Sequence, residues 1–149
     1  MAKTIEDQID LNDAEDFKLP SDGVHNGNLS GVEFGATKAG DREQFIVTVV
    51  LSEDDPDAPN LPMRLYVGWP VPADKEIMWG SRTAYGSKVK SLKDLMTAFG
   101  GPESGGLTKE SVLAFLSDKV GQPVKVKVKQ EVRKDTDEMN ANVRALLPA

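Results

Sequence analysis

Arg64 and Tyr66 stand two residues apart in residues 63–69, an alternating stretch with Met63, Leu65, Val67 and Trp69 on one side of an extended strand and Arg64, Tyr66 and Gly68 on the other. A cation and a ring on one face can hold a phosphate and stack a base, the two contacts that binding a single nucleic-acid strand requires. Residues 122–132 repeat the alternation differently. Val124, Val126 and Val128 face a core, while Lys125, Lys127 and Lys129 present three positive charges on the other side. Charged strand residues are also commonly just solvated, or guard a sheet edge, so the stripe means function only in company.

Further cations fall in connections. Lys38 and Arg42 belong to a hairpin loop at 35–43, and Arg133 and Lys134 to a polar turn at 133–138, placing both pairs at the rims of a groove. Tyr85, between Arg82 and Lys88, suits an aromatic-plus-base contact. Trp69 shares parity with core residues, although its place beside Pro70 allows exposure at the end of the strand; Phe34, Phe45, Phe99 and Phe115 are expected in the core.

Other chemistries find little support. With no cysteine there is no thiolate nucleophile, disulfide or zinc-cysteine site. His25 is the sole histidine, lacks partners at metal or triad spacing, and is expected on a strand facing solvent. Asp54, Asp55 and Asp57 imitate a calcium loop without its glutamate at the twelfth position, and Gly80 to Lys88 has the wrong spacing for a phosphate loop. The expectation is a protein without catalysis, metal or cofactor.

The chain carries 18 Lys and Arg against 24 Asp and Glu, a net charge of −6. Residues 1–22 hold seven acids and two bases, and residues 53–57 four more acids, which leaves sixteen bases against thirteen acids elsewhere. A slightly basic body under an acidic average is compatible with an anionic ligand. The largely apolar run at 45–51 is too short to span a bilayer, and residues 1–11 have acids where a signal peptide needs bases, so a cytoplasmic protein without membrane contact is expected.

These groups must be positioned by a small sheet. Residues 1–22 read as an acidic arm, and 23–149 as one domain. In it, a first strand bears a glycine bulge near Ser30 and Gly31, a second covers 44–51 and a third 63–69. A short helical turn is expected at 74–79, a helix capped by Ser87 and stopped at Gly100, and a second capped by Thr108 and stopped at Gly121. The valine-lysine strand and a last strand at 139–147 follow. Three strands, helices, then two strands is the order of the OB-fold, a five-stranded Greek-key barrel whose second and third strands bind oligonucleotides.

The chain resembles short phage-encoded OB-fold proteins that are often described as single-stranded DNA-binding proteins. The matching residues are Leu19, Pro20, Ser21, Asp22 and Gly23 before the first strand, and Lys38, Ala39 and Gly40 before Phe45, Ile46 and Val47. Ala98, Phe99 and Gly100 end the first helix in the same manner, Gly121, Gln122, Pro123 and Val124 lead into alternating strand, and Asn142 and Val143 precede Pro148. The resemblance implies a protein that coats or protects single-stranded DNA in replication or recombination, in a host cytoplasm, beside replication or recombination proteins and with room for a homo-oligomer. A protein-binding module, either a virion component or an inhibitor of a host factor, is the alternative on the same barrel. The acidic arm suggests a competitor for the cationic groove.

Overall fold

The computed structural model describes Leu11, residues 19–133 and residues 138–149. Its chain order is β1 (Gly23–Ala36), β2 (Glu43–Leu51), β3 (Pro62–Gly68), a 3-10 turn (Pro72–Glu76), a small hairpin of β4 (Met78–Trp79) and β5 (Arg82–Thr83), α1 (Ala84–Ala98), α2 (Lys109–Asp118), β6 (Pro123–Val132) and β7 (Met139–Leu147). The five long strands make one antiparallel sheet in the order β3-β2-β1-β6-β7. The protein is therefore mainly β with two helices, as the hydrophobic periods indicated.

The sheet bends where the glycine signal placed the bend. Leu29 opposes Val49 and Gly31 opposes Thr48, so Ser30 is the extra residue of a bulge. Before it, β1 pairs with β6 on one side and β2 on the other; beyond it, β1 pairs with β2 alone. Phe45, Val47, Val49 and Leu51 then share one inner cluster with Val124, Val126 and Val128, with Leu92, Leu95 and Met96 of α1, and with Val112 and Leu116 of α2. Each such side chain, fully buried, contributes about 1.5–3 kcal/mol.

Both ends of the sheet run in the same direction, because β3 and β7 are each parallel to β1. α1 packs against both. Among the described residues no hydrogen-bonded ladder joins β3 to β7, so the closure expected of a barrel is not made by backbone pairing.

Local chemistry corrected two boundaries. α1 begins at Ala84 rather than after Ser87, because Thr83 accepts from the Gly86 backbone N–H at 3.0 Å and caps the helix a turn earlier. The turn expected at 74–79 is split into the 3-10 turn and the first strand of the β4–β5 hairpin. Thr108 does cap α2, accepting from the Ser111 N–H.

Candidate nucleic-acid interface

Strand register settles which residues share the outward face of β2 and β3. Ile46 opposes Tyr66, Thr48 opposes Arg64 and Val50 opposes Pro62. Tyr66 is 55% exposed, and Arg64 is exposed with no ion-pair partner among the described residues. Ile46, Thr48 and Val50 are half-buried between their neighbours. Leu92, Leu95, Met96 and Ala98 of α1 and Val112 and Leu116 of α2 join the inner cluster, while Tyr66, still exposed, borders a hollow with Ser91 and Asp94 of α1 and Arg144 of β7.

At the end of the sheet where β1 turns into β2, a carboxylate gathers several of the singled-out residues. Asp74, 1% exposed, accepts from the Val71 N–H at 2.9 Å and from Lys88 Nζ at 3.0 Å, and lies 3.6 Å from Arg42 Nε. The Val71 hydrogen bond and the Lys88 ammonium, with Arg42 behind them, hold its carboxyl below the usual carboxylate range despite burial. Lys88 reaches it across Gly68, where a Cβ would come within 3.3 Å of Lys88 Cε. Arg42 and Lys88 are thus partly committed to an internal ion pair. Lys38 is exposed in the same loop.

Two rings of this end, Trp79 and Tyr85, have a cation beside them. Lys88 Nζ lies 5.8 Å from the Trp79 ring centroid, and Lys75 Nζ lies 4.9 Å from that of Tyr85. Arg82 faces Trp79 across the β4–β5 hairpin, and Trp79 is 53% exposed. Trp69 is half-buried, its ring meeting Phe45 edge-on at 6.1 Å while Phe45 meets Phe34 at 4.6 Å. Trp69 and Tyr85 then line a groove of about 370 Å³ with Pro70, Val89 and Lys93, walled on its far side by residues 102–107.

The remaining cations lie elsewhere. Because β6 runs opposite to β1, Arg133 and Glu138 sit at the other end of the strands from Lys38 and Arg42. The Arg133 N–H donates to the Glu138 carbonyl at 2.8 Å, and Lys134 lies outside the described residues. Lys125, Lys127 and Lys129 are exposed as their parity required, with Asn26 and Val24 of β1 opposite Lys125 and Lys127. Along the ladders two strands, β1 and β2, separate them from Arg64 and Tyr66, and across the β3–β7 contact β7 alone does.

His25 corrects its expectation outright. It is 6% exposed and faces inward, with Nδ1 2.5 Å from Asp55 Oδ2 and Nε2 2.7 Å from the Ser21 carbonyl. With Asp55 ionised both partners accept, so the contacts favour the imidazolium form, in which both ring nitrogens donate. Burial pulls its pKa down, but the Ser21 carbonyl, the Asp55 carboxylate and the charge of Asp57 outweigh that and hold it above 6.5. Asp55, instead of imitating a calcium loop, also accepts from the Asp57 and Ala58 N–H groups. Around it, Gln130 donates to the Pro20 carbonyl and to Asp22, tying residues 20–22 to β6, while the rest of the acidic arm, apart from Leu11 and Leu19, lies outside the described residues.

Sequence reasoning passed over Trp79, Lys75 and Lys93. The available signal was density: residues 64–93 hold both tryptophans, both tyrosines and six bases against two acids, in a chain of net charge −6. None of those four rings is buried, whereas Phe45 is fully buried and Phe34, Phe99 and Phe115 pack against the core. Among the described residues no helix is long and apolar enough to cross a membrane, and no group of three or more His, Asp or Glu is placed to hold a metal ion. Neither the protein-family models nor the curated proteins compared with the chain include a match.

Proposed function

We propose that this chain binds single-stranded DNA, without chemistry of its own, on the outward face of β2 and β3. In this reading the sheet is an OB-fold barrel, supported by its strand order and by the helices between β3 and β6; β3 and β7, which touch without a ladder between them, would be the parallel pair that closes it. One observation carries the reading. All four tryptophan and tyrosine rings reach solvent within one cation-rich segment of an acidic protein. Amphipathic rings at the surface offer stacking faces to bases of any identity, and the cations supply phosphate contacts. Coating a strand during replication or recombination needs no more than this.

Fluorescence anisotropy of a labelled oligo-dT tests the reading. Binding is expected to be tighter than to duplex of equal length and to weaken as salt rises. No binding at low salt overturns it.

One feature favours the alternative of a protein-binding module: Ile77, Met78 and Trp79 form an apolar tip, 40%, 59% and 53% exposed. A partner retained by the full chain after nuclease treatment, and released by Met78→Asp, would establish that role.

A further inference from the structure

The groove between α1 and the 102–107 loop lies off the β2–β3 face, yet β3 leads directly into it. Tyr66 and Trp69 are about 10 Å apart along an extended chain and face opposite sides of it. A polymer lying along β3 therefore reaches the groove mouth by rounding the end of the strand at Gly68, within one or two of its units.

Its walls have a definite chemistry. Trp69 is held by its edge contact with Phe45, and Tyr85 has Lys75 Nζ 4.9 Å from its ring centroid. Pro70 and Val89 add apolar contact, and the cavity of about 370 Å³ falls in the range that admits a small molecule. Lys93 on α1 is exposed and has no acid partner among the described residues, whereas nearby Lys90 is paired with Asp94 at 2.5 Å. The 102–107 wall also carries the Glu103 carboxylate, so flat walls with an uncommitted ammonium at Lys93 are complementary to a planar base whose phosphate lies on the Lys93 side, away from Glu103.

We propose that this groove is a nucleotide subsite, in which one base of a single strand lodges between Trp69 and Tyr85 while its phosphate meets Lys93. The proposal rests on the single-strand reading above and extends the path of the strand beyond the sheet.

The test uses the full chain carrying Trp79→Phe, so that Trp69 is the remaining one of the two tryptophans. Trp69 emission and the anisotropy of a labelled eight-nucleotide oligo-dT are read in parallel, with an abasic oligomer of equal length as control. Quenching by oligo-dT but not by the abasic strand is expected. Lys93→Glu and Tyr85→Ala should each weaken binding about fivefold to tenfold. Lys93 is exposed, so its variant keeps the test valid if Tyr85→Ala fails to fold. Unmoved Trp69 emission while anisotropy reports a bound strand overturns the subsite alone. Absence of any anisotropy change overturns the single-strand reading, and the subsite with it.

Discussion

His25 and Asp55, thirty residues apart in sequence, meet at 2.5 Å between Nδ1 and Oδ2, and the second ring nitrogen of His25 donates to the Ser21 carbonyl. The pair fastens the lead-in to β1 onto the acidic loop between β2 and β3. With its folded pKa above 6.5, His25 contributes stability in full below that value and loses it as pH rises through the folded pKa. Asp55 behaves oppositely. Its pKa is lowered because the Ala58 N–H, the His25 ring and the Asp57 N–H outweigh burial, so its contribution is complete above 3.8 and is lost as pH falls through the folded value. Thermal melts should therefore peak between these limits. His25→Gln should cost about 2 kcal/mol at pH 6, and progressively less toward pH 9. A variant whose deficit stays constant over that range contradicts the charged clasp.

Arg64 and Tyr66 are exposed and make few contacts that the fold needs. Replacing both by alanine should leave the melting temperature nearly unchanged while weakening oligo-dT binding about tenfold or more, since one stacked base alone is worth about 1–3 kcal/mol. Arg64→Ala by itself should lower the salt slope by about one phosphate equivalent.

Along the ladders Lys125, Lys127 and Lys129 lie three strand spacings from Arg64, about 14 Å, but across the β3–β7 contact only β7 intervenes. Asn142, which pairs with Lys129, borders the same hollow as Arg64, whereas Lys125 pairs with Leu147 at the far end of β7. Screening at physiological salt acts over about 8 Å. Lys125→Gln should thus change oligo-dT binding little at 150 mM salt and Lys129→Gln should weaken it about twofold, with both effects larger at 10 mM. A larger loss for Lys125→Gln than for Lys129→Gln at 150 mM would place the strand over β6 instead of β3.

Asp74 links Arg42, Lys88 and the Val71 N–H, and its lowered pKa makes that contribution complete above 3.8 and lost as pH falls through the folded value. Asp74→Asn leaves Val71 an acceptor but removes the charge shared by two cations. The melting temperature should fall by a few degrees at neutral pH, with a shift in Trp79 emission as Lys88 leaves its ring. An unchanged melt would mean that the two cations are held by other contacts.

Gly101 lets the loop after α1 turn tightly: a Cβ there would lie 2.8 Å from the Met96 carbonyl oxygen and 3.0 Å from Phe115 Cζ. Gly101→Ala should cost about 1–3 kcal/mol through overpacking, read as a lowered melting temperature. Because that loop walls the groove, the same variant should also change Trp69 emission in the free protein.

By itself the sequence determined what depends on neighbours along the chain. The two-residue alternation assigned Arg64 and Tyr66 to one face and Val124, Val126 and Val128 to the other, because a pleat admits only two sides. The glycine at 31 announced the bulge, and Thr108 the start of α2, because both act within a few bonds. Tertiary structure alone decided what depends on residues distant in sequence. His25 looked like a solvated strand residue until folding brought Asp55 and Ser21 to its two nitrogens. Arg42 and Lys88 looked like free cations until Asp74 was set between them, and the rings of Trp69 and Tyr85 became walls of one groove only once α1 folded back beside β3. A buried charge is tolerated only where a partner is supplied in space, and no local pattern of residue types records which partner that will be.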